Sequence, residues 1–470
     1  MTRPPDDNTP STGTDGRVGS WLDQPQLVPL RERVAFAAGD VFTGGASSLI
    51  SVCYLFFLTN IVGLAPGLAG TAVFVAKLWD SVNDPLMGAI SDRTSTRLGR
   101  RRPYLLAGSL LVMAAMAVLW LPTPPLSSQV GLMLWAMGSF IVYNSIQTMI
   151  AVPYASLSTE LSALPGERDK ANVLRLLFST LASAIITLVA TGLVSANRTG
   201  TLSATGLYGA LVLGFGSLFT LVVLGVALAT HERVAPAPVD RFTVGTFIAP
   251  LSHRPFRVLL AMYLCHSIAM DVVAASVLYY AAYVIGVSPT VFLGVFIVVN
   301  VVAFIVANRL VKRISKHVIY RTLLPLALVS IWVVALYPPG WPIVGVYVAA
   351  AGLAAGMAGA QLMPWVMLPD VLDAAEVDSG RRSAGSFSGL MTFTRGVASS
   401  FAIFCLAWAL QLSGYVAASP AQPPSAVTAI RVILLAAVFT LLSLGWFVSG
   451  RYPLTKAVTV RNAALLSDRR

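Results

Sequence analysis

Two aspartates four residues apart stand out in the stretch from Trp79 to Leu105, which reads WDSVNDPLMGAISDRTSTRLGRRRPYL. Asp80 and Asp84 follow Lys77 at the i, i+3, i+7 spacing that puts side chains on one face of a helix. Two carboxylates this close repel each other if both are ionised in a medium of low dielectric constant, and a bound cation removes that repulsion. A structural Lys–Asp network is the alternative. Because ionisable groups are costly inside a membrane helix, we favour a cation site.

A dense group of arginines follows the acids. After Ser91 and Asp92 the arginines are Arg93, Arg97, Arg100, Arg101 and Arg102, and a new apolar run begins at once. Short loops rich in arginine stay on the cytoplasmic side of a membrane. The gaps at 62–67, 122–129, 286–289, 338–341 and 413–425 contain no Lys or Arg, and the gap at 196–205 contains Arg198 alone. This alternation predicts that both termini are cytoplasmic.

The composition indicates an integral membrane protein. Of the 470 residues, 56% are hydrophobic and only 11% are charged, whereas a soluble domain has roughly a quarter of its residues charged. Arginines in loops account for the net charge of +12, and no basic face of a soluble module is visible, so we expect no nucleic-acid partner. The single cysteines Cys53, Cys265 and Cys405 fit buried thiols rather than disulfides or a metal site.

Twelve apolar runs are long enough to be membrane-spanning helices rather than barrel strands. They cover 34–61, 68–91, 103–121, 130–157, 172–195, 206–229, 256–285, 290–311, 319–337, 342–367, 384–412 and 426–449. The polar gap in the middle divides them six and six, as in transporters built from two similar halves. We therefore predict an all-α fold divided into a disordered tail (1–30), a first six-helix bundle (31–229), a cytoplasmic loop (230–255), a second bundle (256–450) and a cytoplasmic tail (451–470).

Other charged residues fall inside the predicted spans. Asp40, in the first span, is flanked by glycines and either accepts hydrogen bonds from a ligand or reaches water at the nearby cytoplasmic end. Arg175, in the fifth span, either binds substrate, pairs with an acid of a neighbouring helix, or anchors the cytoplasmic end.

Arg395 lies deeper than Arg175. An unpaired arginine there would be very costly, so a carboxylate or an anionic substrate must be near it. Asp271 and His266 lie five residues apart in the seventh span and so face different sides, and we expect no direct relay between them. The neighbouring Tyr279, Tyr280 and Tyr283 fit an aromatic belt at the outer membrane interface better than a stacking surface for a sugar.

Several motifs together resemble the major facilitator superfamily. They are WDxxxDPxMGxxSDRTxTRxGRRRP, the pair Gly39–Asp40, the ERxxxNxxR-like stretch ending at Arg175, and LPDVLDAAE at Leu368–Glu376. More closely, the chain resembles the glycoside–pentoside–hexuronide:cation symporters, the group of the melibiose permease, over roughly residues 31–450. Sodium-coupled lysophospholipid transporters of animals are related to this group.

The resemblance implies roles for particular residues. A cation site would include Asp80, Asp84, Asn83 and Thr148. Asp40, Arg175 and Arg395 would contact substrate, and we add Gln361 and Tyr154 to that set. A cytoplasmic gate, latched when the protein faces outward, would use Asp92, Arg93, Arg97, Arg100 and Arg101.

One departure from the family concerns the fourth span. Ala151 and Ala155 stand where the melibiose permease has an acid and a tryptophan. The loss of that acid weakens the case for galactoside-like substrates and leaves the coupling ion open.

We therefore expect a secondary symporter of the plasma membrane that carries a sugar or glycoside together with a sodium ion or a proton by alternating access, in a direction that the sequence leaves open. Its partners would be the solute, the cation and the bilayer; it would act as a monomer without a cofactor. A lysophospholipid or other amphipathic substrate is the alternative, since the two alanines leave room for an acyl tail. A membrane enzyme would need convergent nucleophile, base or metal ligands, which the sequence does not offer. A non-transporting receptor remains a third class.

Overall fold

The structure is a computed structural model that describes residues 27–234, 244–311, 313–338, 341–379 and 384–467. Within these ranges the chain is helical, and its single β-bridge joins Thr96 to Gly99 in the arginine loop. This agrees with the predicted all-α class.

Twelve long helices follow one another in the described ranges. They are α1 Leu30–Asn60, α2 Pro66–Arg93, α3 Arg102–Leu119, α4 Gln129–Glu160, α5 Pro165–Arg198, α6 Ala204–Ala229, α7 Arg254–Ile285, α8 Pro289–Leu310, α9 Lys316–Ala335, α10 Val344–Ser379, α11 Ala384–Leu412 and α12 Pro424–Ser449. A short helix, Val244–Ile248, precedes α7, and a C-terminal helix covers Lys456–Ser467.

Eleven helices in the described ranges are both long and apolar enough to cross a membrane. Helix α2 is the exception among the twelve. Its 28 residues give a length of about 42 Å, which suffices for a crossing, but Lys77, Asp80 and Asp84 lower its hydropathy. Twelve crossings and cytoplasmic termini therefore stay predictions.

Most helix ends lie within a few residues of the predicted ends, and α10 is the largest exception. It was predicted to end at 367 but continues to Ser379 through Pro364 and Pro369. Leu368, Val371 and Leu372 of the extension are buried, and their spacing places them on one side of the helix. Packing of this amphipathic stripe carries the helix past the point where the apolar run ends.

The predicted tails and loop are only partly described. Residues 1–26 of the predicted disordered tail lie outside the described residues, but Val28 is buried and its N–H donates to Glu167 Oε2 at 3.2 Å. Residues 235–243 of the central loop and 468–470 of the C-terminal tail are also outside the described ranges.

Helix α1 is less regular than its neighbours. It is interrupted at Gly39 and contains a π-helical segment, Ile50–Tyr54. A Cβ at Gly39 would overlap the ring of Tyr154, whose hydroxyl donates to Phe36 O at 2.7 Å. The glycine thus lets α4 approach the backbone of α1 beside Asp40.

The helices pack mainly within two halves, α1–α6 and α7–α12, which we call the N half and the C half. Inside the N half α2 packs on α4 and α1 on α5; inside the C half α9 packs on α10 and α7 on α12. The halves meet through α2 with α11, α5 with α8, and α1 with α7. We call the end with the α2–α3, α4–α5, α6–α7 and α8–α9 loops the basic face, and the opposite end, with its few basic residues, the neutral face. The arginine distribution predicts that the basic face is cytoplasmic.

Candidate functional site

A cavity of about 510 Å³ lies between the two halves. The N half contributes Lys77 and Gln147 to its wall, and the C half contributes His266, Asp271, Gln361 and Arg395. Serines of α1, α7 and α11 also line it. Because hydroxyl, amide and charged groups all reach this space, it is suited to a hydroxylated polar solute.

The predicted cation-binding residues gather where α2 packs on α4. Lys77 Nζ lies 3.6 Å from Asp80 Oδ2, and Thr148 donates to Asp84 Oδ1 at 2.7 Å. Asp80 Oδ1 is buried without a hydrogen-bond partner in the described part of the chain. A buried carboxylate oxygen of this kind is a suitable ligand for a proton or a sodium ion.

Asn83 fits the predicted set less well. Its buried unpaired atom is the amide nitrogen Nδ2, a donor that cannot ligate a cation.

Asn144, one turn before Thr148, is a candidate ligand that the sequence reasoning missed. It donates to Ala76 O at 3.1 Å and keeps a buried Oδ1 without a partner among the described residues. Its spacing of four from Thr148 on the same helix was the available signal.

The predicted substrate residues form two separate groups. Arg175 Nε donates to Asp40 Oδ2 at 2.9 Å, and its guanidinium lies over the ring of Tyr154 at 4.9 Å from the centroid. The Asp40 side chain is 5% exposed. This cluster belongs to the N half and is not part of the cavity wall, whereas Arg395 and Gln361 are. Of the three alternatives for Arg175, the structure has the ion pair with an acid of a neighbouring helix.

Arg395 has the carboxylate partner that its depth requires. Its Nη2 donates to both oxygens of Asp271, at 3.0 and 3.1 Å. The Arg395 side chain is 41% exposed and the Asp271 side chain 13%. His266 is buried, and its Nδ1 is unpartnered in the described ranges.

The predicted gate residues also form two groups, one held in ion pairs and one exposed. Arg100 and Arg101 each donate to Glu160 at 2.9 Å, and Arg101 also pairs with Asp92 and Ser91. In contrast, Arg93 and Arg97 are exposed.

Two acids, Glu160 and Glu232, complete the network around the arginine loop, and the sequence reasoning did not single them out. Glu232 accepts hydrogen bonds from the backbone N–H groups of Arg100 and Arg101. Burial lowers the pKa of the Arg101 guanidinium, but its bonds to Glu160 and Asp92 outweigh that effect and raise it. All of these contacts lie within the N half and the loop that follows α6, so a latch between the halves stays a prediction for another conformation.

Hydrogen bonds between the halves cluster at the neutral face. Asn60 Oδ1 of α1 accepts from Tyr283 at 2.6 Å and from Tyr415 at 2.8 Å. Thr59 shares a 2.7 Å hydrogen bond with Tyr279. Tyr279 and Tyr280 are each 1% exposed, so their assignment to an interfacial belt was wrong. The hydroxyls are buried in packed contacts, and the sequence position near a helix end did not reveal this.

Two further contacts between the halves join α2 to α11 near the same face. Gln411 Oε1 accepts from the N–H of Gly67 at 2.6 Å, and Trp408 donates to Thr71 at 3.2 Å.

Comparisons with known proteins agree with this architecture. The chain matches the family model described as MFS/sugar transport protein over residues 35–456. The glucuronide carrier protein homolog of Escherichia coli (strain K12) is 25% identical over 92% of this chain and 94% of that protein. The sodium-dependent lysophosphatidylcholine symporter 1-B of Danio rerio is 24% identical over 91% of this chain and 88% of that protein.

Among solved structures, a D-xylose-proton symporter shares the fold. The TM-score is 0.61 at 13% identity, over 88% of this chain and 96% of the other. The family match spans most of the chain and confirms the resemblance predicted from the motifs. The chain therefore belongs to the MFS/sugar transport protein family, and it is a multi-pass membrane transporter rather than an enzyme.

Proposed function

We propose that the chain is a secondary symporter that couples uptake of a sugar or glycoside to one cation, sodium or proton. The observation that carries this proposal is the position of Lys77, which lines the polar cavity and lies 3.6 Å from Asp80. A change in the charge of the Asp80–Asp84 pair therefore changes the electrostatic environment of Lys77, which lines the cavity where the solute would bind. Coupling of two binding sites needs such a shared group.

The acids of α2 would act as the cation site. Two carboxylates and one ammonium leave this helix face with one negative charge when the site is empty. One bound monovalent cation neutralises this charge. Neutralisation lowers the free-energy cost of passing this face of α2 through a closed, water-free intermediate of the transport cycle. Asp84 and Thr148 would orient the ligand oxygens, and Asn144 would add an amide oxygen.

The halves would rock about the central cavity, so that each face opens in turn. The contacts of Asn60 with Tyr283 and Tyr415 would hold the neutral face closed, and the arginine loop with Asp92 would close the basic face in the alternate state. In this proposal the protein works as a monomer in the plasma membrane and needs no cofactor besides the coupling cation.

The experiment is uptake of radiolabelled sugars into proteoliposomes under an imposed sodium gradient or an imposed pH gradient. We expect concentrative uptake with one gradient and its loss in Asp80→Asn and Asp84→Asn. Asp378→Asn, which neutralises an exposed acid at the end of α10, is the matched control. If both α2 variants kept gradient-driven uptake, the proposed cation site would be wrong.

A lysophospholipid is the second candidate substrate. Ala151 and Ala155 are small, and the latter is exposed, which would leave space for an acyl chain. The similarity to the Danio rerio symporter supports the same candidate. Lysophosphatidylcholine that blocked uptake or was itself carried, while every sugar had no effect, would favour it over sugars.

A further inference from the structure

We propose that Asp271 is a specificity-determining residue that adapts the central cavity to uncharged hydroxylated solutes and selects against carboxylates. This inference rests on the proposed function, because it concerns which solutes that transporter accepts. It assigns a role to an acid that lines the same cavity as Arg395 but lies outside the proposed cation site.

Arg395 is the strongest hydrogen-bond donor on the C-half wall of the cavity. Its side chain is 41% exposed and lines that wall. One of its nitrogens, Nη2, donates to both carboxylate oxygens of Asp271. Its other nitrogens, Nε and Nη1, make no hydrogen bond within the described ranges of the chain, so they remain available to a solute.

The shape of the guanidinium decides which solutes can use those nitrogens. A carboxylate binds arginine best by accepting two parallel N–H bonds, from Nε and Nη2 or from Nη1 and Nη2. Both pairs include Nη2, the nitrogen that Asp271 occupies. While that ion pair holds, a carboxylate that binds either pair must share Nη2 with the Asp271 carboxylate, whereas a neutral hydroxyl or ether oxygen needs only Nε or Nη1.

Charge acts in the same direction as geometry. The mostly buried carboxylate of Asp271 repels a second carboxylate brought close to Arg395, and the repulsion is stronger in the cavity than in water. Lys77 lines the opposite wall, but its ammonium lies beside Asp80, so its contribution is the same whether or not Asp271 is charged. The discrimination is thus assigned to the Asp271–Arg395 pair.

D-glucose and D-glucuronate form a matched pair of probes, since they differ only in whether C6 is a hydroxymethyl group or a carboxylate. Their apparent dissociation constants can be measured by thermal unfolding of the purified full-length protein, because a ligand that binds the folded state raises the unfolding temperature. In Asp271→Asn, which removes the negative charge beside Arg395 and with it the repulsion, we expect the preference to shift toward glucuronate by at least about tenfold.

Two further variants test the cause. Asp271→Glu keeps the negative charge and should keep the preference for glucose. Adding Arg395→Lys to Asp271→Asn should cancel the gain in glucuronate affinity, because an ammonium group cannot donate two parallel N–H bonds to a carboxylate. If Asp271→Asn does not fold, Asp271→Ser provides the same neutral test.

An unchanged preference in a folded Asp271→Asn protein would overturn the inference, and so would failure of glucuronate to stabilise any of these proteins. Neither result touches the proposed function, which depends on ion-dependent uptake and on Asp80 and Asp84. Conversely, gradient-independent uptake with a shifted preference in Asp271→Asn would overturn the coupling and leave this inference standing.

Discussion

The two faces of the molecule are held by different kinds of interaction. At the neutral face, neutral side chains such as Asn60, Tyr283 and Tyr415 join one half to the other. At the basic face, Arg101 and Glu160 form a buried ion pair inside one half. Similar ion pairs there join Glu32 of the N half to Arg233 in the loop that follows α6, and Lys316 to Asp370 within the C half.

In the proposed transport cycle, this difference suits what each contact has to do when the halves move. A neutral hydrogen bond contributes about 1 kcal/mol, so a few of them can break and form again in each transport cycle. Removing one partner of a buried ion pair costs about 3–5 kcal/mol, so such pairs suit a body that must stay rigid while it moves. Contacts inside a half are therefore strong, and contacts between the halves at the neutral face are weak enough to reverse.

The largest effect is expected from breaking the ion-pair network of Arg101 at the basic face. Arg101→Ala removes the partner of Asp92 and one of the two arginine partners of buried Glu160, which keeps Arg100, and we expect the free energy of unfolding to fall by about 3 kcal/mol. Arg97→Ala removes the same charge from an exposed position and should change it by less than about 0.5 kcal/mol. Thermal unfolding of both variants in detergent measures the difference, and equal midpoints would contradict a stabilising role for the network.

A smaller effect is expected from crowding the contact between α2 and α11 near the neutral face. A Cβ on Gly70 of α2 would overlap Ala407 of α11, so Gly70→Ala should destabilise the closed neutral face by about 1–3 kcal/mol. Gly88→Ala is the control on the same helix, because its Cβ would meet only Val152 Cγ1, at an ordinary 3.8 Å.

Distances between spin labels across the neutral face report this change. Leu126 and Val416 are exposed there, on the N half and the C half respectively, and can be replaced by labelled cysteines. Cys405 is exposed, and not buried as the sequence predicted, so it is first changed to serine. We expect longer distances in Gly70→Ala than in Gly88→Ala. The same distribution in both variants would argue against close packing of α2 on α11 as the contact that opens.

An effect of about the same size as that of Gly70→Ala, but from the loss of hydrogen bonds, is expected from Asn60→Ala. It removes two hydrogen bonds between the halves, worth about 2 kcal/mol together, which shifts the equilibrium toward an open neutral face by about 30-fold. Asn197→Ala is the matched control, since that side chain lies at the same face but donates to Leu202 within its own half. The same pair of labels measures both variants, and an opening as large in the control would show that Asn60 is not part of the closure.

The sequence predicted the fold well because hydropathy and loop charge decide where a membrane helix crosses. It missed the extension of α10 to Ser379, where burial of Leu368, Val371 and Leu372 replaces membrane hydropathy as the reason for helix. It also assigned Tyr279 and Tyr280 to a lipid interface, since distance along a helix does not say which side a residue faces.

The candidate site was predictable in its residue types but not in its grouping. Asp80, Asp84 and Thr148 could be placed together from helical spacing and the family motif. That Asp271 pairs with Arg395, and that Asp40 and Arg175 form a cluster outside the cavity wall, depends on how separate helices pack. Glu160 and Glu232 were missed because acids at the ends of helices look like ordinary solvated residues until the arginine loop folds onto them.

The unequal count of charges on α2 has a consequence for energy supply. In the proposed mechanism, Lys77 offsets one of the two carboxylates and a single monovalent ion neutralises that face, so a neutral sugar carried with it would move one elementary charge per cycle. A membrane potential of 100 mV supplies about 2.3 kcal/mol to such a step, equivalent to roughly 50-fold accumulation of the sugar. The transporter would then be electrogenic. The membrane potential alone could drive accumulation of the sugar even when the ion has equal concentrations on both sides.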